Sequence, residues 1–328
     1  MKKNFFIIIT SMLLITIFLA ACDEIEEAAD DSKVQGGFAT GSSGGLYDLI
    51  GGGMADVINK NNEEIDLTTT APPSISEVPR LIDSEQALIG IGMADMMERA
   101  KEGTGEFDES YENVQPVLAM YDNVMALVTA EDSSINNIED LEGKTVGVSS
   151  ESTKSILTSY VEAAGISQDD VEWSFLSYEE QAEALKDNDI DAGNFTAFPK
   201  AGLLEDLASS PTGMKIVDID KDLQEDWDEE YPLWANGEIP GGTYKGIDED
   251  KQFYTQFTVL YANGDMSEEA VYNITKTIFE NQEDIDNIHP AAEDITPEKT
   301  EEYVEDEIIN PEEIHPGAKK YFEEEGVL

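Results

Sequence analysis

Residues 145–195 read TVGVSSESTKSILTSYVEAAGISQDDVEWSFLSYEEQAEALKDNDIDAGNF, and their rhythm decides the fold. The run 145–149 predicts a strand, 153–164 a helix closed by Gly165, and 171–176 a second strand. A helix over 178–186 and a strand over 190–195 complete the alternation, which is the signature of an α/β fold with largely parallel sheets. Gly165 stands where a helix end favours a left-handed residue, a conformation that glycine reaches without a Cβ clash.

The same alternation extends in both directions. Upstream, Phe38–Tyr47 (FATGSSGGLY) predicts a strand, a glycine-rich turn and a helix start, with Leu46, Leu49, Ile50, Val57 and Ile58 on one apolar stripe. Ala87–Met93 (ALIGIGM) predicts a buried strand. Tyr121–Thr129 (YDNVMALVT) and Phe253–Ala262 are apolar runs long enough to cross between two lobes and return. Helices are expected over 267–281, capped by Ser267, and over 316–325.

Composition narrows the function. The chain carries a formal charge of −53, and Arg80 and Arg99 are its only arginines. Nucleic-acid binding rests on neutralising phosphates with Lys and Arg, so a nucleic-acid partner is excluded. Self-repulsion of this size points to a salty or alkaline habitat, where exposed charges are screened over ~10 Å or less. Histidine occurs only as His289 and His315, each followed by proline, and cysteine only as Cys22. No disulfide within the chain, no metal site and no cofactor are expected.

The amino terminus predicts an address. Lys2 and Lys3 precede an apolar run from Phe5 to Leu19, shorter than the ~20 residues that span a membrane. Leu19-Ala20-Ala21-Cys22 looks like a bacterial lipobox, with 1–21 the signal peptide and Cys22 the lipidated residue. Cleavage there leaves 307 residues with a formal charge of −55, because Lys2 and Lys3 are lost. Residues 22–33 read as an acidic disordered linker between the lipid anchor and the folded part. The expected location is extracytoplasmic, on the outer face of the cell membrane.

Two turns have the composition of anion sites. Gly41, Ser42, Ser43, Gly44 and Gly45 open a helix, where unpaired backbone N–H groups and the helix dipole favour a negative group, and Tyr47 adds a hydroxyl. Ser149-Ser150-Glu151-Ser152-Thr153 opens a second helix in the same way. Each turn alone is as well explained by capping.

Taken in order, TGSSGGLY, LIGIGMAD, DLEGKTVGVSSEST, WSFLSYEEQAEALKDNDIDAGNF, EIPGGTYKG and IHPGAKKYFEEEGV resemble the TAXI family of extracytoplasmic solute-binding proteins, which serve TRAP transporters. The resemblance runs from about Val34 to Leu328. It implies a two-lobed periplasmic-binding-protein fold (type II-like), with a ligand cleft between lobes joined by hinge strands. Lobe 1 is expected at 34–122 plus 258–328 and lobe 2 at 123–257. It further implies capture of a small carboxylate, glutamate or a related dicarboxylate, by a monomer that delivers it to a sodium-driven TRAP-type permease. Carried over by position, the ligand-facing residues are Gly41–Gly45, Tyr47, Met93, Ser152, Thr153, Asn194 and Phe195. The sequence departs from the family pattern at Ser150 and Ser152, where glycines are usual, at Glu151, and at Met93, where the family has glutamine. Arg80 is expected on a helix away from the cleft.

Two other readings compete. Gly41–Gly45 also satisfies Gly-x-Ser-x-Gly, so a serine hydrolase with Ser43 and either His289 or His315 is conceivable, although the turn would follow the first strand of the fold. A ligand-binding sensor lipoprotein with no permease is the other.

Overall fold

The computed structural model describes residues 33–41, 43, 45–198, 200–219, 223, 227, 232–234 and 236–328. The signal peptide, Cys22, nearly all of the linker, Ser42 and Gly44 lie outside the described residues, and for Ser152 only the backbone is described. The first part of the chain runs β1 (Val34–Ala39), α1 (Leu46–Asn61), β2 (Ile65–Thr70), α2 (Val78–Asp83), β3 (Ile89–Met93), α3 (Ala94–Glu102) and β4 (Val114–Thr129). Next come β5 (Thr145–Val148), α4 (Glu151–Ala163), β6 (Glu172–Phe175), α5 (Tyr178–Asp187), β7 (Ala192–Phe198), α6 (Gly202–Ser209), β8 (Lys215–Ile216) and β9 (Asn236–Ile239). The chain closes with β10 (Lys251–Asn263), α7 (Glu268–Glu280), α8 (Gln282–Asp286), α9 (Pro297–Glu305) and α10 (Pro316–Glu325).

The strands form one hydrogen-bonded path, β2-β1-β3-β10-β4-β7-β5-β6. β1 with β3 and β5 with both β6 and β7 are parallel. β10 is antiparallel to β3, β4 and β9, and β4 is antiparallel to β7 and β8. The sheet is therefore mixed, a correction to the largely parallel one expected. Short parallel units flank a long antiparallel pair, and a run of alternating strands and helices does not reveal where its flow reverses.

β4 and β10 connect separate cores. Leu118, Ala119 and Tyr121 of β4 pack in one apolar cluster with β1, β3, α1, α7 and α10. Met125 and Leu127 of the same strand join a second cluster with α4, while Val124, Ala126 and Val128 join a third with α5 and α6. Alternating side chains of one strand thus cover opposite faces of the second half of the sheet. Cores on both faces of parallel strands explain why 145–148 and 192–198 read as apolar runs.

Local chemistry explains the helix ends. Ser177 and Glu180 form a capping box at the start of α5, and Ser267 accepts from Ala270 N–H at α7. Gly165, just beyond α4, has φ of +84°, as expected for a left-handed terminator. The α1 stripe needs one correction: Ile50, Met54, Val57 and Ile58 are buried, but Leu49 is 53% exposed because it falls outside the core-facing arc.

Candidate functional site

The parallel strands β1 and β3 end at the same edge, so the turn after Ala39 and the start of α3 after Met93 lie side by side. Thr40 holds the turn: its Oγ1 donates to Asp48 Oδ1 at 3.0 Å, tying the strand end to the first turn of α1. Gly41 is buried, and a Cβ there would come within 2.6 Å of Tyr47 Cβ, so glycine is required by close approach. Gly45 is the N-cap of α1 and makes no side-chain capping bond. Its neighbour Ser43 is exposed.

Tyr47 reaches from α1 to the long strands. Its Oη lies 3.1 Å from Thr258 Oγ1 on β10 and accepts from Asn123 Nδ2 on β4 at 3.0 Å. Asn123 Nδ2 also donates to Thr258 Oγ1 at 2.8 Å, closing a triangle. Asn123 and Thr258 are buried polar residues, and an unpartnered group there would cost about 1–3 kcal/mol. Burial, reinforced by the negative charge of Asp95, pushes the Tyr47 phenol well above the usual tyrosine range, so it stays protonated. Tyr121 meets the Tyr47 ring edge-on at 6.2 Å. Met93 is half-buried and pairs in register with Thr258.

The second half of the sheet presents its own strand ends. Tyr178 is the first residue of α5, and burial raises its pKa, opposed by the hydroxyls of Thr196 and Ser149. Ser149 Oγ and Ser150 Oγ lie 3.2 and 3.0 Å from Thr153 Oγ1. Ser150 also accepts from Thr153 N–H at 3.1 Å, so this turn caps its own helix. Glu151 is exposed and Thr153 buried. Asn194 is fully buried: its Oδ1 accepts from Tyr254 Oη at 3.0 Å, and its backbone N–H donates to Gln181 Oε1 at 3.0 Å. Phe195 projects to the opposite face, packed in the core against Tyr178 at 5.8 Å. Adjacent strand residues face opposite ways, so Phe195 lies on the other face of β7 from Asn194.

The two groups are linked along β10: Thr258 meets Tyr47 Oη at 3.1 Å, and Tyr254, four residues earlier on the same strand, donates to Asn194 Oδ1 at 3.0 Å. Burial raises the pKa of both Tyr47 and Tyr254, with smaller contributions from Tyr178 and Asp95. Asp95, in the first turn of α3, is 4% exposed; its Oδ2 accepts from Arg99 Nη1 at 2.6 Å. Arg99 also bonds Glu106, with Nε to Oε2 at 3.1 Å, and its guanidinium lies 5.8 Å from the centre of the Trp234 ring. Burial works against the guanidinium charge, but Asp95 and Glu106 outweigh it and raise the Arg99 pKa. Sequence reasoning missed Asn123, Thr258, Tyr178 and Arg99. The one legible signal was polarity interrupting an apolar strand, as Asn123 does in YDNVMALVT.

Among the described residues no cluster of His, Cys, Asp and Glu could hold a metal ion, and no helix is long and apolar enough to cross a membrane. Arg80 pairs with Glu77 at 2.9 Å on the partly exposed α2. The histidines are helix caps. His289 Nδ1 accepts from Ala291 N–H at 3.1 Å and His315 Nδ1 from Gly317 N–H at 3.2 Å. A lone pair on Nδ1 puts the proton of a neutral ring on Nε2, the wrong tautomer for a general base acting through Nε2. Burial lowers both pKa values, which keeps the rings neutral. The His315 backbone N–H bonds Pro116 O, seven residues along β4 from Asn123.

Residues 38–326 match the NMT1-like family. The chain belongs to that family. In fold this NMT1-like protein is similar to the periplasmic aliphatic sulphonate binding protein SsuA from Escherichia coli, which is 12% identical with a TM-score of 0.50 over 89% of this chain and 83% of that one. It is also similar to XAC2383 from Xanthomonas citri bound to chloride ion, 11% identical with a TM-score of 0.52 over 78% and 88% of the two chains. The fold is the two-lobed one of periplasmic solute-binding proteins. In open α/β sheets ligands lie outside the carboxyl ends of the strands, and the Tyr47 and Tyr178 groups of this NMT1-like protein occupy such ends.

Proposed function

We propose that this protein is a lipid-anchored extracytoplasmic receptor of a TAXI-type TRAP transporter, capturing a small organic anion for sodium-driven uptake. One observation carries the reading. Tyr47, from the helix after β1, bonds Asn123 on β4 and Thr258 on β10, and the same two strands lead to the other group, β10 through Tyr254 bonded to Asn194 and β4 through its pairing with β7. A small molecule between them would be held by hydroxyls and helix-start amides. Supporting it are the solute-binding fold, the ordered TAXI-like blocks and the lipobox-like stretch ending at Cys22.

Lobe 1 is 34–122 plus 258–328 and lobe 2 is 123–257, with β4 and β10 as the hinge. The split agrees with the change of core along β4 between Tyr121 and Val124. Asn123 and Thr258 then lie at the hinge, so ligand contact with Tyr47 would bias opening and closing. The ligand's carboxylate sits against Gly41–Gly45 and Tyr47, beside Met93, with Ser152, Thr153 and Asn194 across the cleft. The ligand is glutamate or a related dicarboxylate, the protein is monomeric, and its partner is the permease.

The test is a panel of small carboxylates screened against the full chain in detergent and high salt, by thermal shift and native mass spectrometry. At a hundredfold excess over the dissociation constant, a ligand adds about 2.7 kcal/mol of stability. If no acid in the panel raises the melting temperature, the receptor reading fails. Uptake by the reconstituted permease with and without a sodium gradient tests the transport step.

A further inference from the structure

Asp95 carries an oxygen that the fold leaves unused. Its Oδ2 is bonded to Arg99, but its Oδ1 is fully buried and has no hydrogen-bond partner. A buried carboxylate oxygen without a donor is costly, and folds keep such groups where something else completes them. The surroundings show where that completion occurs. Asp95 comes two residues after Met93, which pairs in register with Thr258, the hydroxyl partner of Tyr47, and only 4% of Asp95 is exposed, so it lies beside the Tyr47 group rather than in solvent. The basic group beside it is Arg99, already bonded to Asp95 and Glu106. The local charge is therefore negative, in a region where the phenols are held neutral and add none of their own.

We propose that Asp95 Oδ1 accepts a hydrogen bond from a cationic amino group of the ligand, so that the solute is an amino acid rather than an amine-free acid. This rests on the receptor reading above and narrows it. Opposite ends of one zwitterion then meet opposite fields. Its carboxylate lies at the start of α1, where Gly45 leaves the helix amides without a side-chain cap, and its ammonium lies at Asp95 in the first turn of α3. A charge-assisted bond to a buried carboxylate is stronger than a neutral one, and an analogue lacking the amine would leave Oδ1 bare.

The experiment uses matched acids with and without the amino group: glutamate and glutarate, aspartate and succinate, leucine and 4-methylpentanoate. Binding to the full chain in detergent is measured by calorimetry at pH 7. The expected result is at least about tenfold tighter binding of the amino member of whichever pair binds. In Asp95→Asn that preference collapses, chiefly through loss of the amino member's affinity. The wild-type comparison stands alone should the variant misfold. Equal affinity within a binding pair, or a preference that survives in Asp95→Asn, overturns the proposal while leaving the receptor intact and assigns Oδ1 to bound water. Tight binding of an amine-free acid only when sodium is present also overturns it, placing a metal ion at Asp95. If no acid of any pair binds, the receptor reading and this inference fall together.

Discussion

The two helix openings that the sequence presents as twins are not equivalent. α4 begins with Ser150 as its N-cap, whose hydroxyl accepts from Thr153 N–H, and Ser149 and Ser150 both bond Thr153 Oγ1. α1 begins at Gly45 with no side-chain cap, beside a buried Gly41 that leaves no room for a Cβ against Tyr47. A capped start has spent part of its donor capacity on itself, whereas an uncapped one still seeks an acceptor. The difference teaches that Gly/Ser composition is a poor guide to an anion site. Ser150 caps α4, whereas the N-cap of α1, Gly45, supplies no side-chain cap.

The broadest challenge to that contrast is alkaline pH, since Tyr47 on one side and Tyr178 on the other both have raised pKa values, with burial the main cause. A group that binds its proton more tightly when folded adds stability below its unfolded pKa, and that stability is lost as pH rises through the folded pKa. Tyr121, Tyr254, Tyr261 and Tyr303 are raised in the same way. Chemical denaturation should therefore show no loss from tyrosine between pH 7 and 9 and a steep fall above about pH 10, with Tyr47→Phe reducing the slope. A slope unchanged in Tyr47→Phe would place its hydroxyl in water.

Next in size is Gly41→Ala. Its Cβ must displace Tyr47, so a loss of about 1–3 kcal/mol and at least tenfold weaker ligand binding are expected in denaturation and calorimetry. Tyr47→Phe follows. It strands Asn123 Nδ2 and Thr258 Oγ1 with only each other and should destabilise by about 1–2 kcal/mol, with weaker binding. Ser150→Ala sharpens the comparison directly: about 1 kcal/mol of stability should go while affinity stays within twofold. An affinity loss there equal to that of Tyr47→Phe would make the two openings equivalent after all. Smallest is Arg80→Ala, whose partly exposed pair with Glu77 should matter by less than about 0.5 kcal/mol and leave binding untouched.

Much of the fold is readable from local pattern. The helix expected over 316–325 spans Pro316–Glu325, and the strand expected over 145–149 spans Thr145–Val148. The long apolar runs became β4 and β10, which extend to Val114 and Asn263 because their pairing continues through Gln115 and Asn263. The site was less legible. Tyr47 was visible, but its partners lie 76 and 211 residues away, at Asn123 and Thr258. Which face of β7 holds Phe195 and which Asn194 depends on the pairing of β7 with β4, which local sequence does not contain.

What the chain determines by itself is its strongly negative charge and whatever depends on neighbours in sequence: apolar periodicity, caps and the glycine after α4. Antiparallel flow through β4 and β10, the Tyr47–Asn123–Thr258 triangle and the bare oxygen of Asp95 came only with tertiary structure. They depend on which strand lies beside which and on which parity faces inward. Those choices are made by burying apolar area across the whole molecule, a quantity that no local window contains.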